Sequence, residues 1–197
     1  MPYTAFEMND KLNDAYASFC DKNDFVQKMN TKIKHIAVSK LMTYTHIAGV
    51  YTYYTGEANL NTNFPGYTLP YTAAHELSHQ RGTAREDEAN FLAFLVCMES
   101  DDSYIRYSGY LNLFEYVAGA LYKADGSLYS SLMSDLDMRI YSELFSYNKF
   151  FDKYRDSAAS KISGTVNDTY LKSQGQEAGT DSYGRVVDLA VAYFIPN

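Results

Sequence analysis

The chain has no tryptophan, and only two cysteines and four prolines among its 197 residues. Each shortage excludes something. Cys20 and Cys97 lie far apart and no Cys-x-x-Cys pair exists, so a cysteine-built zinc site is ruled out. Both cysteines read as buried thiols, Cys97 within the apolar run FLAFLVCM, rather than as a disulfide. Basic residues are also scarce: 17 Lys and Arg stand against 24 Asp and Glu, for a net charge of -7. Phosphate binding needs clustered Lys and Arg, so nucleic acid is not expected as a partner. No run approaches the roughly 18 to 20 apolar residues that span a bilayer. The opening MPYTAFEMND is polar and acidic and lacks a signal-peptide pattern.

The sequence does have the composition of an ordinary folded protein, 46% hydrophobic and 21% charged, in a length suited to a single domain over 1-197. With 20 Tyr and 11 Phe, its surface and clefts should be rich in tyrosine. Phe6, Met8, Leu12, Ala15, Tyr16 and Phe19 have helical spacing, which predicts a helix from residue 4 to about 29. A short continuation is expected over 32 to 42. The β-branched and aromatic text from Tyr44 to Tyr54 predicts a hairpin or two short strands, followed by a loop from Asn59 to Pro70. Helices are then expected over 72 to 80, with Gly82 as the stop, over 84 to 98, and from the capping residues Asp101 to Ser103 as far as Lys123. A helix or helical pair over 128 to 158, a short helix near 165 to 173, the loop QGQEAGTDSYG and a last helix ending near Phe194 complete the reading. The fold class is α+β, predominantly α-helical, with a small β element just before the 72 to 80 helix.

That helix carries His-Glu-x-x-His as His75, Glu76 and His79. Residues four apart share a helix face, so the two histidines can grip one metal ion from the same side. Glu76 is then placed to handle a metal-bound water. The motif is short and occurs by chance on surface helices. Its uncharged flanks (Ala73, Ala74, Leu77, Ser78), the early glycine stop and the acidic segment that follows weigh against chance.

The third ligand decides the subclass. In the three-histidine pattern H-E-x-x-H-x-x-G-x-x-H, the last histidine position here holds Arg85. Unless His35 or His46, read as structural histidines in apolar surroundings, enters from afar, two His plus one Glu remains. Glu86 is the expected ligand, and Asn90, four residues on, the expected second support of a bound histidine. Glu88 is the alternative third ligand. It points about 200° away from Glu86 on a helix, so the two cannot easily face one ion. Asp87 ranks below both. Such a site leaves a position for water, whose pKa zinc lowers toward about 7, with Glu76 as general base. Tyr107, Tyr110 and Tyr183 are the candidates for stabilising the developing oxyanion, though packing is the default role for each.

Arg81 and Arg85 flank the acidic cluster and either neutralise it or anchor the link between the two helices. The segment TGEANLNTN, 55 to 63, is either an ordinary loop or part of a strand whose edge pairs with an extended peptide substrate. Zinc-dependent hydrolysis of peptide bonds is the function expected from these residues. A non-catalytic peptide- or cell-wall-binding module with a structural zinc is the alternative, and hydrolysis of a non-peptide amide a third option.

AAHELSHQRGTAREDEANFLAFL resembles the signature of the bacterial family known as domain of unknown function 3810. SKLMTYTHIAGVYTYYTGEANLNT (39 to 62), YIRYSGYLNLFEY (104 to 116) and VNDTYLKSQGQEAGTDSYGRVVDL (166 to 189) extend the likeness. The resemblance implies a membrane-anchored, gluzincin-type zinc metallopeptidase: His75, His79 and a Glu of the REDEAN segment as ligands, and Glu76 as base. It further implies that this chain is the extracytoplasmic, soluble domain of a longer bacterial protein whose membrane segment is absent here. Thr83 stands where the family often has a larger apolar residue. No substrate is implied.

Overall fold

A computed structural model describes residues 3–155 and 183–195. The first helix, α1 (Ala5–Lys22), starts on a reciprocal cap. Thr4 Oγ1 accepts from the Glu7 amide at 3.3 Å, and the Glu7 carboxylate accepts from the Thr4 amide at 2.6 Å. Met8, Leu12, Ala15, Tyr16 and Phe19 form its buried face. The helix stops seven residues before the expected 29, because Asn23 turns to extended backbone and its side chain caps the Phe19 carbonyl at 2.9 Å.

The chain then runs back along α1 in extended form. Asn9 and Asn13, one turn apart, act as substitute backbone. Asn13 accepts from the Thr31 amide at 3.2 Å and donates to its carbonyl at 2.7 Å, and Asn9 accepts from the Ile33 amide at 2.8 Å. This clamp delivers β1 (Lys34–His35) to the sheet, where a helix was expected, and only α2 (Ser39–Met42) of that expectation forms. His35 is exposed rather than set in apolar surroundings.

The hairpin is present, shifted toward the C-terminus: β2 (Gly49–Thr52) and β3 (Glu57–Leu60) are antiparallel, with Val50 opposite Asn59. β3 therefore takes the start of the expected loop. It lies in the middle of the sheet, in the order β1-β3-β2, and pairs with β1 in parallel. A 3-10 turn over Gly66–Thr68 leads into α3 (Leu69–Gln80), which carries the motif, followed by α4 (Glu86–Glu99) and α5 (Ser103–Ala124). The expected helical pair is α6 (Gly126–Ser134) and α7 (Met138–Phe151). The last helix is α8 (Tyr183–Phe194). The helix expected over 165 to 173 and the loop after it fall outside the described residues.

The architecture is thus predominantly helical with one small three-stranded sheet, an α+β arrangement. One continuous apolar cluster links Met8 and Leu12 of α1 to Val186 and Ala190 of α8. α4 sits at its centre, against α1, α3, α5 and α8, and so is apolar on nearly every face: Ala89, Ala93, Phe94, Val96 and Cys97 are all fully buried. Cys20 and Cys97 are buried and unpaired, as expected. Among the described residues no helix is long and apolar enough to cross a membrane.

A titratable group is packed beside the entry to α3. Glu115 of α5 accepts from the Tyr67 hydroxyl at 3.4 Å and lies near Tyr147 of α7. Burial pushes its carboxyl up to about 7, against the lowering effect of the Tyr67 bond. A carboxyl whose pKa is raised by folding contributes stability below its unfolded value, and that contribution is lost as pH rises through the folded value. Urea unfolding should therefore show stability falling from about pH 5 to about pH 8. Glu115→Gln should remove about 2 kcal/mol of that fall, the shift being discounted for partial solvent access.

Candidate metal centre

The C-terminal half of α3 is anchored to α1. The Tyr16 hydroxyl donates to the Ala74 carbonyl at 2.5 Å and lies 2.8 Å from Ser78 Oγ. Arg81, just past the helix, stacks over the Tyr16 ring at 3.7 Å and donates to the carbonyls of Leu77 at 3.1 Å and Met29 at 2.8 Å. Arg81 is therefore an anchor. Arg85 is the neutralising arginine: it donates to both carboxylate oxygens of Asp87, from Nη2 at 2.7 Å and Nε at 3.2 Å, and lies 3.4 Å from Glu88.

Gly82, at φ +100°, ends α3 in a conformation that side chains disfavour, and the short link returns the chain so that Glu86 opens α4. His75, His79 and Glu86 converge there. Their donor atoms are spaced 3.1 Å (His75 Nε2 to His79 Nε2), 3.2 Å (His75 Nε2 to Glu86 Oε2) and 3.4 Å (His79 Nε2 to Glu86 Oε1). These three form the one metal-ligating cluster found among the described residues. The Thr83 carbonyl takes the other ring nitrogen of His79, Nδ1, at 2.7 Å. A carbonyl only accepts, so Nδ1 carries a proton, and Nε2 is the nitrogen that faces the cluster: a donor to Glu86 when the ring is charged, a lone pair for a cation when it is neutral.

The remaining candidates fall in different places. Glu88 is half exposed and turned to Arg85, so it is not part of the cluster. Asp87 is taken up by Arg85 and does not belong to the cluster, which takes Glu86. Asn90 is buried but supports neither histidine. Its carbonyl and Oδ1 face the Tyr71 hydroxyl at 2.9 and 3.4 Å, bracing α3 one turn before His75. The Thr83 backbone fills the supporting role for His79, and the buried His75 Nδ1 has no hydrogen-bond partner. Tyr107 packs with Tyr104, and Tyr110 is exposed beside Phe94, so neither enters the cluster. Tyr183 opens α8, but its side chain lies outside the described part. His46 bonds the Tyr154 carbonyl at 3.1 Å and is structural.

Glu76 is 6% exposed and packed under β2. Burial, the largest influence, raises its carboxyl pKa above the ordinary value; the charges of His75 and His79 and the Tyr51 amide pull the other way. Glu86 shows the opposite outcome. Burial raises it, but hydrogen bonds from His75 and His79 prevail and hold it well below the usual carboxylate range. For His79, burial disfavours the charge, yet Glu86 and then Glu76 raise its pKa overall. Two acids crowded onto two imidazoles make a cluster suited to a cation.

Two neighbours of the site were not singled out from the sequence. The Tyr51 ring stacks on His79, with centroids 6.3 Å apart and planes 20° apart. A Cβ at Gly49 would lie 2.5 Å from Glu76 Oε1. A lone glycine in a strand-like run signals such a close approach, and this was the available clue. Gly49→Ala should push the Glu76 carboxylate aside. Any Glu76-dependent activity should fall about tenfold or more, with bound metal retained. Steady-state kinetics beside metal analysis of the same preparation checks this.

The family described as "Protein of unknown function (DUF3810)" matches residues 3–191. The chain belongs to the DUF3810 family. No curated protein and no solved structure matches it. In this DUF3810 chain the HELSHQRG segment supplies two of the three clustered donors, and the AREDEAN segment supplies the third.

Proposed function

We propose that the protein is a zinc-dependent peptidase of the two-His-plus-Glu type, with a zincin-like arrangement of helix, edge strand and metal cradle. One observation carries the reading: the spacing of the three donor pairs. Ligand atoms about 2.05 Å from a tetrahedral zinc lie about 3.3 Å from one another; here the two Nε2 atoms are 3.1 Å apart and each lies 3.2 to 3.4 Å from its own oxygen of the Glu86 carboxylate, with one donor from each residue within 4.8 Å of the others. The donor set also suits zinc, with neutral imidazole nitrogens and one carboxylate. Its side chains retain 12 to 24% exposure, and three protein donors leave a ligand position free, which supports a catalytic site over a closed structural one.

His75, His79 and Glu86 would hold the ion. Zinc bound there would supply a Lewis acid that polarises a carbonyl and acidifies a water. Glu76 would take the proton from that water and return it to the leaving amine, a task served by a carboxyl pKa raised by burial. Thr83 fixes the tautomer of His79, and Gly49 leaves room for the Glu76 carboxylate.

The substrate is an extended peptide segment of a peptide or protein. β2 is the outer strand of the sheet on this side, so it is β2, and not the 55 to 63 segment, whose edge could accept such a segment. The Asn61 amide bonds the Ala48 carbonyl at 2.9 Å, and in the register that follows Gly49 and Tyr51 turn their backbone groups away from β3, the Tyr51 amide being the one that donates to Glu76. The family resemblance alone supports an extracytoplasmic place on a membrane-anchored bacterial protein. Incubating the zinc-loaded protein with a mixed-sequence peptide library and reading new termini by mass spectrometry tests the activity. Cleavage that a chelator stops and zinc restores is expected; no cleavage at any sequence would leave the binding-module reading in its place.

A further inference from the structure

The tip of the hairpin is unusual for a turn. Turn tips favour Gly, Asn, Asp and Ser, yet this one carries Tyr53 and Tyr54, 56% and 82% exposed. Tyr54 is the most exposed large hydrophobic side chain among the described residues. The two rings lie 4.0 Å apart, centroid to centroid, with planes 35° apart. The tip is fastened in place. Gln80, the residue after His79, donates to the Gly56 carbonyl at 2.6 Å, and Lys34 pairs with Glu57 at the base of β3. Two residues before Tyr53, Tyr51 stacks on His79. The aromatic pair is thus held at the end of the strand whose start covers Glu76.

The length of that strand fixes the reach. At about 3.3 Å per residue, Gly49 to Tyr53 spans roughly 13 Å. A peptide lying along β2 with its reacting bond at Glu76 would bring a side chain three or four residues away to the tyrosines. The Tyr53–Tyr54 pair itself carries no charge, which fits an apolar occupant.

We propose that Tyr53 and Tyr54 are specificity-determining residues, taking an aromatic or large aliphatic side chain of an extended peptide three or four residues from the bond held at Glu76. This rests on the peptidase reading above. The test uses zinc-loaded protein and peptides of Gly and Ser, with one Phe moved along the sequence. Binding is measured by calorimetry on the Glu76→Gln variant, and cleavage on the wild type. Phe at the matching distance should tighten binding about tenfold. The added changes Tyr53→Ser and Tyr54→Ser should cancel that gain with zinc content unchanged, and Tyr53→Phe with Tyr54→Phe should preserve it. A Phe gain that survives the serine changes, or no gain at any position, overturns the proposal. So does binding of a soluble cell-wall oligosaccharide, in place of the Phe peptides, through these tyrosines. Tyrosine-dependent binding without cleavage by the wild type would sink the catalytic reading and keep this one; cleavage indifferent to the tyrosines would do the reverse.

Discussion

Glu76→Gln should lower the peptidase kcat by about 10²- to 10⁴-fold, the usual range for loss of a positioned general base. The structure gives the substitution clean footing. Glutamine has nearly the shape of glutamate, so it fits the space under Gly49 that a Cβ would fill. It also removes a carboxyl whose burial disfavours its charge, so the fold should not suffer. The three clustered donors are untouched, and zinc content should stay at the wild-type level. The check is kcat beside zinc per chain for both proteins. Equal kcat would remove Glu76 from the chemistry, and lost zinc would make it a structural support instead.

The second large effect is on metal. Glu86→Ala should weaken zinc binding by more than about 100-fold, since changes one shell further out already cost about 10- to 100-fold. Cleavage should disappear with the metal. Glu88→Ala serves as the comparison, because Glu88 is half exposed and turned to Arg85. It should leave affinity within about twofold, in line with the small worth of surface ion pairs. Competition with a chromophoric chelator measures both. A larger loss from Glu88→Ala than from Glu86→Ala would mean that α4 is rotated from the placement seen here.

The contrast between these two residues shows what was legible in the sequence. His75, Glu76 and His79 could be placed because helical spacing alone puts the histidines on one face. Glu86 was chosen over Glu88 on its four-residue spacing to Asn90, and it lies with the histidines although that spacing is not what puts it there. Asn90 failed as a support for histidine because its partner depends on how deeply α4 sits against α3, and there Tyr71 meets it first. The tyrosine at the site could not be chosen among 20 from sequence. The structure brings Tyr51 there through strand pairing, not Tyr107 or Tyr110. β1 was missed for a related reason: two residues carry no periodicity, and their extended form is imposed by Asn9 and Asn13 from a separate helix. The early end of α1 has the same origin, since the segment after Asn23 is needed for that clamp.

On the proposed reading, His75, His79 and Glu86 hold one zinc ion. Zinc X-ray absorption on the wild-type protein, with metal content determined on the same sample, tests it most directly. One zinc per chain is expected, with nitrogen and oxygen neighbours only, two of them imidazole at about 2.0 to 2.1 Å, and that signal should be lost in His79→Ala. A sulfur neighbour, an undiminished signal in His79→Ala, or a chain that takes up no zinc would contradict it.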